Sequence, residues 1–114
     1  MKNLAILTGK VKSEIEVTEV KEGVKKAVFS LVTWKTWKDE NNEKQAKTQL
    51  HRIVCWRGLA EIVEKYVKKD SLLQIDGEIE YSEYTKDEIK RYSTEIKADN
   101  IIILPTANKE ESNS

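Results

Sequence analysis

Apolar and polar positions alternate along most of this 114-residue chain, and the period of the pattern lengthens only once. "LAIL" (4–7) is continuously apolar, Gly9 permits a bend, and in "EIEVTEV" Ile15 and Val17 share a side, so residues 3–20 read as one long strand with a break. After a turn at Glu22-Gly23, residues 25–37 predict a second strand. Ala27, Phe29, Leu31 and Thr33 lie on one side of it, and Val28, Ser30, Val32 and Trp34 on the other. The run "KDENNEKQAK" reads as a hairpin loop, too hydrophilic to be buried. In the third strand, "TQLHRIVCW", His51, Ile53 and Cys55 point one way and Leu50, Arg52, Val54 and Trp56 the other.

The period then becomes helical. In "GLAEIVEKYVKKD", Leu59, Ile62, Val63, Tyr66 and Val67 fall on one stripe, and Lys68 and Lys69 suit the negative end of the helix dipole. "SLLQIDGEIEY" returns to alternation as a fourth strand with Leu73, Ile75 and Ile79 inward. "SEYTKDEIKR" reads as a hairpin tip, and "YSTEIKADNIIIL" as a fifth strand stopped by Pro105. The expected organisation is one domain over 1–105 and a short polar tail over 106–114 that lacks periodicity and is expected to be disordered. Five strands with a single helix between the third and fourth predict an OB-fold barrel, an all-β class with one helix, whose ligand face is formed mainly by its second and third strands.

Composition adds bounds rather than a function. With 39% hydrophobic and 35% charged residues in 13.2 kDa, the chain fits one domain with a modest core. The net charge is zero, so a polyanionic partner has to be argued from local distribution. Residues 24–52 carry seven bases against three acids, and residues 70–91 seven acids against three bases. The single cysteine, Cys55, excludes an intramolecular disulfide and a cysteine-based metal site, and its apolar surroundings suit a buried small hydrophobe. "MKNLAILTGK" has too short an apolar run for a signal peptide and nothing reaches membrane-spanning length, so a cytoplasmic protein without a membrane partner is expected. Asp76, Glu78 and Glu80 alternate as a solvated strand face does, and the lone His and Cys share a strand with no orienting third group. No catalytic residue, metal or cofactor is therefore expected.

The basic zone coincides with "LVTWKTWKD", and that overlap suggests chemistry. Every base offers a π-face and every nucleotide a phosphate, so aromatics interleaved with cations grip single strands of any sequence. Trp34, Trp37, Trp56 and Tyr84 are the candidate stacking residues, and Lys35, Lys38, Lys47 and Arg52 the candidate phosphate contacts. The plain alternative is that tryptophan completes a small core. For Trp56 the side it shares with Arg52, away from Ile53 and Cys55, speaks for the surface. His51 alone reads as an ordinary packed strand residue.

"NLAILTGKV", "FSLVT" leading to "WKD", "HRIVCW" running into "LAEIVEKYVKKD", "LLQIDGEI" and "RYSTEIKADNIIIL" follow one another in an order and spacing that resemble the bacterial single-stranded DNA-binding proteins, from Asn3 to Leu104. The resemblance implies an OB fold, a homotetramer, and binding of single-stranded DNA in replication, recombination or repair. It puts Trp37 at one of the family's stacking positions, Trp56 at another that is usually Phe, and Tyr84 at one that is usually Trp. His51 matches a histidine near the family's subunit interface, to which the apolar first strand with Leu4 and Ile6 is also assigned. Several positions depart from the pattern. Leu50 stands where the family commonly has a stacking Trp, with Trp34 added nearby, and Arg57-Gly58 replaces a Gly-basic pair. Glu78, Glu80 and Glu83 occupy a strand and hairpin that is typically basic. The ending "EESNS" lacks the acidic-hydrophobic tip by which many members recruit replication and repair proteins. The acidic fourth strand keeps a second class open, an OB-fold module that docks a protein partner as a replication or mobile-element accessory factor.

Overall fold

Six strands and one helix form along residues 1–105, the part of the chain described by the computed structural model. They are β1 (Ala5–Val11), β2 (Glu16–Lys21), β3 (Val24–Lys38), β4 (Lys44–Trp56), α1 (Gly58–Tyr66), β5 (Leu72–Lys86) and β6 (Ile89–Leu104). The expected polar tail, 106–114, lies outside the described residues. Strands pair in the order β1-β5-β6-β4-β3-β2, and β1 also pairs with β3. That last pairing closes a five-stranded ring, β1-β5-β6-β4-β3, with β2 continuing along β3 outside it. This is the OB-fold barrel that the element pattern predicts.

Both β1 and β2 run antiparallel to β3, at Lys10↔Val32 and Val11↔Leu31 and then at Glu16↔Val28 and Val17↔Ala27. The expected long strand is therefore two strands, and the helix follows the fourth strand rather than the third. The break falls at residues 12–15, not at Gly9, and the backbone there is held by Lys12 N–H on the Ser30 carbonyl (2.8 Å) and by Ser13 Oγ accepting from the Ser30 amide (2.9 Å). Gly9 has a different task. At Gly9 and Lys10, β1 pairs with β5 while the chain is crossing onto β3, and a Cβ on Gly9 would stand 2.2 Å from the Val32 carbonyl oxygen. Only glycine lets the ring close so tightly at that corner.

Inward alternation supplies the core. Val11, Phe29, Leu31, Ile53, Cys55, Leu73 and Ile75 are all but fully buried, with Ile15, Val17 and Ile79 packed against them. A bulge at Asp76/Gly77 leaves Asp99 outside the ladder, so the inward positions of β6 pass from Ile96 and Ala98 to Ile101. The helix is shorter than its pattern predicts because Val67 is already extended and Asp70 takes φ 75. Ala60, Val63 and Val67 are the buried positions, while Ile62 and Tyr66 of the predicted stripe are exposed. One ion pair, Lys25 Nζ to Glu64 Oε1 at 2.8 Å, ties β3 to the helix.

Both hairpins are longer than the polarity of their sequences suggests. β3 and β4 stay paired to Lys38↔Lys44, so the loop is only residues 39–43. β5 and β6 stay paired to Lys86↔Ile89, and the turn is Asp87-Glu88 alone, at φ 54 and 64. That is the positive-φ pair of a tight hairpin turn, filled without asparagine or glycine.

Candidate nucleic-acid interface

The β3–β4 register decides which side chains meet. Residues directly opposite share a face, and residues an odd number apart on one strand do not. On the face turned away from the core, Lys26 pairs with Trp56, Val28 with Val54, Ser30 with Arg52, Val32 with Leu50, and Trp34 with Thr48. Lys26 Nζ stands 5.4 Å from the centre of the Trp56 ring, a cation–π arrangement. Trp34 and Leu50 are 51% and 66% exposed. Aromatic, cationic and aliphatic groups thus follow one another along a single open surface. Opposed pairs recur about every 6.8 Å along that surface, from ~3.4 Å per residue.

Trp37 is three residues from Trp34 and lies on the other face of the same hairpin. It is 43% exposed, opposite Gln45, with Lys35 Nζ 5.7 Å from its ring centre. Lys35 and Lys47 face each other on that second side. Lys38 and Lys44 pair at the end of the hairpin on the Trp34 side. The eight nominated residues therefore divide: Trp34, Trp56, Arg52 and Lys38 share the outward face, Trp37, Lys35 and Lys47 the reverse face, and Tyr84 belongs to the other hairpin.

Asp39 holds the tip of β3–β4 together. Its Oδ1 accepts from the amides of Asn41 and Glu43, both at 2.9 Å, and its Oδ2 from Gln45 Nε2 at 3.0 Å. These donors favour the carboxylate, the Glu43 amide most, and keep its pKa below the ordinary value of 3.8.

On β5–β6 the outward face carries Glu78, Glu80, Ser82 and Tyr84 opposite Lys97, Glu95, Ser93 and Arg91. Glu83 is on the other side, opposite Tyr92, with its carboxylate 3.2 Å from Lys90 Nζ. The three glutamates grouped by sequence are thus two and one, since neighbouring strand positions point oppositely. Arg52 Nε donates to Glu95 Oε2 at 2.6 Å, so the outward cation of β4 already holds a carboxylate. Lys26, Arg91, Lys97 and Glu95 were missed by the sequence reading. The first two could have been found from the register, as the residues opposite Trp56 and Tyr84. Beyond Trp56 an open cleft of about 710 Å³ is lined by Val20, Lys21, Val24, Arg57, Leu59, Lys97, Ala98 and Asp99. Arg57 begins the helix at φ 55, a backbone region that favours glycine and costs a side chain of order 1–3 kcal/mol.

The residues assigned to a subunit interface lie on different surfaces. Leu4 and Ile6 are exposed, Ile6 opposite Asp76 on the outward side of β1–β5. His51 is opposite Leu31 on the core side of β4, its Nε2 2.9 Å from Thr33 Oγ1, and burial lowers its pKa. Cys55 is buried and its thiol is pushed up to about 12, so at neutral pH it is no nucleophile. Among the described residues no group of three or more His, Cys, Asp or Glu is arranged to hold a metal ion, and no helix is long and apolar enough to cross a membrane.

Comparison with known proteins places this geometry in context. Residues 2–104 match the model of the single-strand binding protein family. The bovine (Bos taurus) mitochondrial single-stranded DNA-binding protein is 36% identical over 117 residues, covering 96% of this chain and 79% of the relative. A single-stranded DNA-binding protein of Neisseria meningitidis is 34% identical over 108 residues, and the match takes in 94% of this chain and 62% of the relative's length. Among solved structures, a Plasmodium falciparum SSB complex with ssDNA superposes with a TM-score of 0.85 at 28% identity, covering 92% of this chain and 96% of that one. A deletion mutant of the single-stranded DNA binding protein from Thermus aquaticus has a TM-score of 0.82 at 20% identity, covering 94% of this chain and 52% of that one, a likeness of fold.

Proposed function

The chain belongs to the single-strand binding protein family, and from that premise we propose that it binds single-stranded DNA with little sequence preference, as a non-enzymatic coat in replication, recombination or repair. The observation that carries the reading is the outward face of β3–β4, where a partly buried Trp56 with Lys26 over its ring is followed by Arg52, Leu50 and Trp34 in the open. Bases stack on the tryptophans, each stack worth roughly 1–3 kcal/mol, a value general to proteins of this class rather than one measured on this chain. Phosphates meet Lys26, Lys38 and Arg52, release condensed counterions and make affinity fall with salt. Trp37 with Lys35 and Lys47 offers a second stack on the reverse face of the hairpin, and Tyr84 beside Arg91 a third site on β5–β6. A labelled dT oligonucleotide tests this: single-stranded competitors of any sequence should displace it, and duplex should not. Equal displacement by duplex counts against it.

The same reading carries a cytoplasmic location and assembly as a homotetramer, with the exposed Leu4 and Ile6 as interface residues and His51 as a further contributor. Sedimentation at micromolar concentration checks the assembly, and a monomer throughout contradicts it. Glu78, Glu80 and Glu95 on one outward face favour a second reading, an OB-fold module that docks a basic protein partner. In that case the oligonucleotide leaves the tryptophans unaffected.

A further inference from the structure

Between Leu50 and Trp56 the outward face of β4 has one cation, Arg52, and it sits midway along the stacking surface. A phosphate passing from Trp56 toward Trp34 has to cross it. Yet Arg52 Nε already donates to Glu95 Oε2 at 2.6 Å. The pair follows from the parallel β4–β6 seam, where Ile53 meets Ile96 and brings residues 52 and 95 side by side outside the barrel. Across β5–β6, Glu95 is directly opposite Glu80, with Glu78 on the same side. Like charges opposed across strands repel, and Arg52 supplies their counter-charge. The Arg52 side chain is 52% exposed and that of Glu95 26%, so a phosphate can reach the guanidinium from solvent while the carboxylate holds it from the sheet.

We propose that Glu95 is a built-in competitor of the DNA backbone for Arg52, and that this exchange limits both the affinity and the salt dependence of single-strand binding. The proposal rests on the reading of the chain as a single-strand binder. When the strand arrives, Arg52 turns from carboxylate to phosphate, and Glu95 is left directly opposite Glu80 with Lys97, the residue across from Glu78, as the neighbouring cation on that face of β5–β6. That cost is set against every strand bound. An exposed pair of this kind is worth about two- to fivefold in an equilibrium, and because salt screens the pair as well as the phosphate contact, losing the pair on binding offsets part of the counterion-release slope.

The alternative is that the pair only stitches β4 to β6, which are paired at two registers. Glu95→Gln, Arg52→Gln and the double variant, titrated with a dT oligonucleotide over a salt series, separate the two. Glu95→Gln should tighten binding about two- to fivefold at low salt and steepen the slope, and both gains should vanish when Arg52 is also replaced. A lowered melting temperature with affinity and slope unchanged overturns the proposal, as does a gain that persists without Arg52. If the Gln variant does not fold, the wild-type protein still decides: its Arg52 Nε–H resonance should move on saturation with the oligonucleotide, and an unmoved resonance overturns the exchange. Wild-type protein that binds no oligonucleotide removes the underlying reading with it, whereas normal wild-type binding beside an unresponsive Glu95→Gln overturns this proposal alone.

Discussion

Trp56 and Trp34 have no place in the core: their strand partners are Lys26 and Thr48, the inward positions next to Trp56 are filled by Ala27 and Cys55, and Trp34 is half exposed beside Thr33 and Lys35. Trp56→Ala should therefore weaken dT binding on the stacking scale, about 1–3 kcal/mol, and Trp34→Ala should do the same. The melting temperature of each should stay close to wild type. A variant that binds normally but melts early would place that ring in the core. His51 behaves in the opposite way. Burial disfavours its imidazolium and puts its folded-state pKa below the ordinary 6.5. As pH falls below that value the unfolded chain takes up the proton first, so the stability contribution is complete above it and is lost as pH drops through the lowered pKa. Melting temperature should fall from about pH 7.5 to about pH 5, and His51→Gln should fall less. Parallel curves for the two proteins contradict this account of His51.

At the scale of elements, the strands were legible wherever one side faced the core. Phe29, Leu31, Ile53, Leu73 and Ile75 announce their faces because burial enforces a period of two. The hairpin ends were not legible. Residues 35–38 and 44–49 are exposed save for Gln45, so neither side needs apolar residues and the period disappears although the pairing continues. Likewise Asp87-Glu88 turns a hairpin without the glycine or asparagine that would mark it. The opposite orientation of Trp34 and Trp37 was readable from their odd spacing once both were known to be in strand. The ion pair of Arg52 with Glu95 was not, because it depends on which strands meet at the seam. The β5–β6 register gives a test of its own. Glu78→Lys with Glu80→Lys should tighten dT binding and steepen its salt slope, since both side chains share the outward face with Tyr84 and Arg91. Glu83→Lys should do neither, because Glu83 points the other way and pairs with Lys90. Equal effects from Glu83 and the other two would mean that DNA runs over both sides of the hairpin.

For the whole molecule, a net charge of zero conceals a division of labour. Bases gather on β3 and β4 around the exposed aromatics, and acids on the outward face of β5 with Glu95 of β6 beside them. Long-range attraction to a polyanion is therefore weak, and binding has to come from stacking and from local cations within a Debye length, about 10 Å at 0.1 M salt. Intrinsic tryptophan fluorescence reads that contact without a label, because Trp34, Trp37 and Trp56 are the only tryptophans and none is fully buried. Titration of the wild-type protein with oligo-dT at low salt should quench the emission strongly and to saturation, and added salt should reverse it with a shallow slope. A folded protein whose emission does not change at any oligonucleotide concentration would contradict the account at its centre.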